Sequence, residues 1–315
     1  MKRRALLSIT SIFSVLSSAL LPAYAAAPEG GHALAPLQLS VSSDSDGLVI
    51  RKPSATVYRA WRSGSQWQGL EIQQQRYAQG SQKLDGRSLA LVGQEVDPAT
   101  GLGHGWRLSW SDGPYQQTAV ADGYWNGAWT PRTQWGVFGT HDVVESFAAL
   151  RDKVTYTLVG ANIDHSPVDG VTLIAAGSAT RFSDSQDRRQ LRLRAIWDAI
   201  PSQGITLQLH VKHQTGERDA PVRRYFNPGQ LDEAQVVAGW RRRWEGWQFM
   251  ARAGTGAQWV NEAATEPVRT AELQVQSPVR GQQFFKLRWG FSQTQGLSGP
   301  GYIYRSADLN WVLQF

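Results

Sequence analysis

Arg192, Arg194, His210, Lys212, Arg241, Arg243, Arg252, Lys286 and Arg288 lie on the polar faces of segments that alternate in polarity. A row of fixed cations raises the local concentration of anions, which is binding or conduction chemistry rather than bond making. Bond making would need a nucleophile and a base. His141-Asp142 with Glu145, and His165-Ser166, are the local pairs that a rim lipid hydrolase could draw on. Sequence neighbours in a strand point to opposite faces, so neither makes a good catalytic pair, and the expectation is not an enzyme. Asp44-Ser45-Asp46-Gly47 opens like a calcium loop, but Ala55 stands where the twelfth position requires Glu, so it reads as a hairpin turn. Asp184-Ser185-Gln186-Asp187 reads likewise. No zinc-type spacing and no cysteine occur, and no metal or cofactor is expected.

Only a strand can keep these cations on one face. Leu191, Leu193, Ala195 and Trp197 alternate with Arg192, Arg194, Ile196 and Asp198, and Ile205, Leu207, Leu209 and Val211 with Thr206, Gln208, His210 and Lys212. Trp247, Phe249, Ala251 and Ala253, and later Phe285, Leu287, Trp289 and Phe291, repeat the pattern. In the last segment Ala307, Leu309, Trp311, Leu313 and Phe315 share a face opposite Ser306, Asp308, Asn310 and Gln314, with Val312 out of pattern. Hydrocarbon on one face and charge on the other is what a barrel wall needs between lipid and a watery lumen.

This reading predicts an all-β fold, a transmembrane antiparallel up-and-down β-barrel of about 16 strands, with 12 or 14 as alternatives. The first strand is placed at 37–42, the sixth to eighth at 116–124, 131–138 and 152–163, and the last at 303–315. The 14 Trp, with 9 Tyr and 10 Phe, suit rings at membrane interfaces. Lys2, Arg3 and Arg4 precede an apolar run over 5–21 and then Ala23-Tyr24-Ala25, so residues 1–25 read as a cleaved signal peptide. Residues 26–36 then form a periplasmic lead and 37–315 the barrel, in the bacterial outer membrane. Long and short connections alternate from the eleventh strand onward, which fits a periplasmic C-terminus and puts 214–232 outside the cell.

The ending resembles the C-terminal signature of outer-membrane proteins, which implies that the barrel-assembly machinery reads Ala307, Leu309, Trp311, Leu313 and Phe315 as its insertion signal. A second resemblance covers residues 150–315. Val171-Thr172-Leu173, Arg181-Phe182-Ser183-Asp184 with Arg188-Arg189, and Tyr225-Phe226-Asn227-Pro228 resemble strand and loop text of the C-terminal barrels of exopolysaccharide exporters, those for cellulose and poly-N-acetylglucosamine. Such exporters carry a periplasmic tetratricopeptide superhelix, and this chain has no 34-residue repeat. The resemblance implies a barrel without that domain, working beside a separate periplasmic scaffold.

A sugar conduit needs aromatic faces for stacking. Tyr124, Trp125, Trp129, Trp135, Tyr225 and Tyr302 are the candidates, and each could equally be a girdle residue. The functional expectation is a channel or assembly component in export of a biofilm exopolysaccharide. The alternatives are a receptor-like or structural barrel with an occluded lumen and, behind both, the rim hydrolase. Expected partners are outer-membrane lipid and lipopolysaccharide, the assembly machinery, a polysaccharide and a periplasmic scaffold. The net charge of +6 comes with no nucleic-acid motif, so no nucleic acid is expected.

Overall fold

The computed structural model describes residues 31–113, 118–217, 224–261, 264–296 and 299–315. The expected signal peptide lies outside them, as does the start of the lead. Sixteen strands form one closed antiparallel barrel. They are β1 (Gly31–Asp44), β2 (Leu48–Ser63), β3 (Gln66–Gln79), β4 (Gln82–Val96), β5 (Gly103–Asp112), β6 (Thr118–Thr130), β7 (Thr133–Val143), β8 (Thr155–Val168), β9 (Val171–Phe182), β10 (Asp187–Ile200), β11 (Ile205–Gly216), β12 (Gln230–Trp244), β13 (Trp247–Val260), β14 (Glu266–Gln276), β15 (Gln283–Gly296) and β16 (Gly299–Gln314). A short α-helix, α1 (Phe147–Arg151), lies between β7 and β8, and a 3-10 turn, Pro201–Gln203, joins β10 to β11.

Each strand pairs with its chain neighbours and β1 pairs with β16, so no edge is left to be satisfied by water that the bilayer lacks. Phe315 completes the seam: its N–H donates to the His32 carbonyl at 2.9 Å, and the His32 N–H donates to the Phe315 carbonyl at 3.0 Å. The outer face carries Leu191, Leu193, Leu207, Leu209, Val236, Leu273 and Leu287, all exposed. An exposed apolar belt of this extent requires lipid around it. At the end where Gly64-Ser65, Pro131-Arg132 and Glu245-Gly246 turn, the periplasmic one by the rule that the longer loops (here 144–154 and 217–229) face outward, rings gather into a girdle. Trp247 meets Phe249 at 6.1 Å and Phe285 at 5.5 Å, and Trp135 meets Trp125 at 6.3 Å and Trp129 at 6.5 Å.

Three differences from the sequence reading have physical causes. The wall starts at Gly31, so residues 31–36, assigned to the lead, belong to β1; Ala33 and Ala35 are too small to signal a strand but are fully buried. Val312, out of pattern on the polar face, packs inward with Ala33, Ala35, Tyr58 and Phe284 in a small apolar cluster at the periplasmic end of the lumen. Strands β6 to β8 run several residues later than expected, and in β6 the chain stays extended through Gly127, which is a slot for a ring. A Cβ there would sit 2.6 Å from the Trp135 ring, which lies across its cross-strand partner. Gly127→Val should therefore displace Trp135 and cost about 1–3 kcal/mol by overpacking. Denaturant titration of the folded band on unheated gels measures this, and an unshifted midpoint would refute it.

Candidate functional site

The strand registers turn the alternating cations into a continuous inner wall. Arg192 stands opposite Lys212 and Arg194 opposite His210 across β10 and β11. Lys212 in turn stands opposite Glu233 of β12, with 3.5 Å between Nζ and the carboxylate. Glu272 of β14 takes Arg288 at 3.0 Å and Arg252 at 3.8 Å. These groups line a cavity of about 780 Å³ in the outer half of the lumen. A second cavity, of about 990 Å³, opens toward the periplasmic end. Arg241, Arg243 and Lys286 line it together with the amides of Gln38, Gln73, Gln248, Gln274 and Asn310. Ser40, Lys52, Arg288 and Asp308 line both cavities, so the two chambers adjoin at that belt. All nine cations selected from the sequence thus border the lumen.

At the outer mouth a loop the alternation pattern does not reveal folds against the inner wall. Residues 144–154, between β7 and β8, carry α1, whose Phe147 and Leu150 pack on Leu48, Ile50 and Tyr77 of the β2–β3 wall. Ser146 caps the helix, its Oγ accepting from the Ala149 N–H at 2.9 Å and donating to the Arg224 carbonyl. Glu145 forms an ion pair with Lys52 of β2. From the β11–β12 connection, Arg224 reaches back to Asp152 at 2.7 Å and Asp184 at 3.5 Å.

Tyr225 stacks on Phe182 with ring centroids 4.4 Å apart, and its hydroxyl donates to Asp184 Oδ1 at 2.7 Å. Burial and the adjacent carboxylate push that hydroxyl's pKa up, so it remains a donor. Arg188 donates to the Phe226 carbonyl at 2.6 Å and to Asn227 Oδ1 at 3.0 Å, with its guanidinium 5.1 Å above the Phe182 ring. Two of the segments that carry the exporter resemblance, Arg181-Phe182-Ser183-Asp184 with Arg188 and Tyr225-Phe226-Asn227, are therefore one clamp joining two outer loops.

The aromatic candidates separate by location. Tyr124 faces the lumen, its ring over Gly105. Trp125, Trp129 and Trp135 belong to the girdle at the periplasmic end, on the lipid side. Tyr225 is buried in the clamp, and Tyr302 is buried at the outer end, donating to Asp44 Oδ2 at 3.1 Å. The C-terminal set Ala307, Leu309, Trp311, Leu313 and Phe315 follows the outward face of β16 to the seam.

The histidine pairs come apart. His141 lies in β7 and His165 in β8, rather than in connections. His141 Nδ1 contacts Thr157 Oγ1 at 2.8 Å, and His165 Nδ1 contacts Thr133 Oγ1 at 3.0 Å, while Glu145 turns away to Lys52. Asp44 Oδ1 accepts from the N–H groups of Asp46 and Leu48 at 2.9 and 3.0 Å, which makes 44–47 a turn. Among the described residues no cluster could hold a metal ion. Lys52, Arg107 with its 3.0 Å partner Glu71, and α1 were missed; alternation of Lys52 with Ser54 and Thr56 was the available signal for the first.

The sequence matches no family model and no curated protein. Solved structures match in fold. A bacterial polysaccharide outer membrane secretin is 12% identical, covers 92% of this chain and 100% of its own, and superposes with a TM-score of 0.66. The outer membrane protein OprD from Pseudomonas aeruginosa is 12% identical, covering 93% of this chain and 96% of its own, with a TM-score of 0.45. OccAB2 from Acinetobacter baumannii is 9% identical, covering 90% and 98%, with a TM-score of 0.44. Closed antiparallel topology, apolar outer belt and polar lumen make this chain a bacterial outer-membrane β-barrel.

Proposed function

We propose that the barrel is the outer-membrane conduit of an exopolysaccharide export system. The observation that carries this reading is the superposition on the polysaccharide secretin barrel along nearly the whole of both chains. The lumen lining supports it: amides and hydroxyls such as Gln38, Ser40, Ser54, Gln73 and Gln248 can exchange hydrogen bonds with successive sugar hydroxyls as water does. The barrel would be inserted by the assembly machinery through its C-terminal strand, sit among lipopolysaccharide, and receive polymer from a separate periplasmic scaffold.

Deleting the gene should abolish secreted polysaccharide while the polymer accumulates in the periplasm. Unchanged secretion would reject the proposal. The folded-in loop 144–154 favours a second reading, a receptor-like barrel with an occluded lumen. That reading expects no conductance with the loop in place and unchanged polysaccharide secretion when the gene is deleted.

A further inference from the structure

We infer that the polymer this lumen accepts is a polyanion, a polysaccharide bearing carboxylate, phosphate or sulfate groups. The inference rests on the conduit reading for the direction of travel only, because binding to the lumen is measured separately from transport.

The argument starts from a cost. Placing Arg192 directly opposite Lys212 on the same inner face is unfavourable for a sheet, and Arg194 extends the same row toward His210. Their acidic neighbours are too few to neutralise the wall. Glu233 faces Lys212, Asp308 stands opposite Arg288, Asp164 lies near Arg194, and Glu272 is shared by Arg252 and Arg288, four carboxylates against the eight Arg and Lys of β10 to β15 named above. A barrel selected for stability alone would alternate charges across these registers, or use Gln and Ser as β1 and β2 do with Gln38, Ser40, Ser42 and Ser54.

The periplasmic chamber shows the same bias, with Asp308 among its lining. The cross-strand partners of Arg241, Arg243 and Lys286 are Met250, Gln248, Gln276 and Asn310, none of them acidic. From β10 to β15 the cations therefore run from the periplasmic opening into the outer chamber. The opposite wall mixes amides and hydroxyls with the pairs Arg107–Glu71 and Lys52–Glu145 and with Asp122 and Asp142, so the excess of cations lies on β10 to β15. A chain threading this lumen meets a cation-rich side and, across from it, mixed charge and hydrogen-bonding groups. A polyanion would be concentrated at the entrance and passed between closely spaced, individually weak sites, which is how a conduit binds its cargo without trapping it.

The test is calorimetric titration of the detergent-solubilised full-length protein with three probes: an oligogalacturonate, a neutral cello-oligosaccharide and a chitosan oligomer. The oligogalacturonate should bind, with affinity falling as salt rises. It should exceed the neutral probe by about tenfold or more at low salt. The triple variant R241Q/R243Q/K286Q should lose that advantage while keeping its folded migration on unheated gels. Equal binding of acidic and neutral probes, tighter binding of the chitosan oligomer, or an unaltered affinity in the triple variant would each overturn the inference. So would tighter binding of a single-stranded oligothymidylate than of the uronate. Retained uronate binding in a protein that never conducts would instead overturn the conduit reading and leave the binding assignment standing.

Discussion

Deleting residues 146–152 raises single-channel conductance in planar bilayers severalfold over the wild-type protein, which stays mostly closed. The folded-in loop is held chiefly by hydrocarbon. Phe147 and Leu150 leave water on the β2–β3 wall, and burying each contributes about 1.5–3 kcal/mol. Their sum favours the folded-in loop by a factor on the order of a hundred or more. The Arg224 pairs are partly exposed and contribute about 0–1 kcal/mol apiece. Phe147→Ala with Leu150→Ala should therefore open the pore almost as well as deletion, whereas Arg224→Ala should leave it mainly closed.

The pH response of the wild type follows from the same contacts. The Arg224 guanidinium holds the Asp152 carboxyl below its ordinary value. A depressed carboxylate pKa gives stability present above the ordinary value, about 4, and lost as pH falls through the lowered one. Closure should thus be unchanged from neutral pH down to about 5. A wild type that conducts as freely as the deletion, or that opens on mild acidification, would show that the loop is no barrier.

How far the molecule was legible in its sequence depended on whether the signal was periodic. The run from Leu191 to Trp197 in β10, and Phe285, Leu287 and Trp289 in β15, declare both faces, so the barrel and its cationic wall could be read directly. Loop 144–154 could not. Its five-residue helix is too short for a helical repeat, and its anchors Leu48, Ile50 and Tyr77 lie some 70 to 100 residues away in sequence. The clamp was visible only as resemblance: nothing in the spacing of Phe182, Asp184 and Tyr225 announces that a ring stack and a hydroxyl–carboxylate bond join them. The glycines carry no such signal: Gly105 and Gly127 make room for the rings of Tyr124 and Trp135, a fit that only the cross-strand register reveals.

Exchanging charge between the two faces of β10 gives the other large effect. Leu193 lies midway along the strand on the lipid side, 45% exposed, between Ala175 of β9 and Val211 of β11. Leu193→Arg should cost about 2–4 kcal/mol, the penalty for a cation near the bilayer midplane on a barrel's outer face. Arg192→Gln, one residue away on the lumen side, should be neutral or stabilising, because it relieves the like-charge register with Lys212. Reversible guanidinium unfolding from lipid vesicles would give both values. Equal costs for the two variants would mean that the outer belt is not in hydrocarbon. A large loss from Arg192→Gln would mean that the lumen cations are structural, held there by the fold for its own stability. The opposite result, with stability intact and polyanion affinity reduced, would identify Arg192 as a group kept for the cargo at the expense of the barrel.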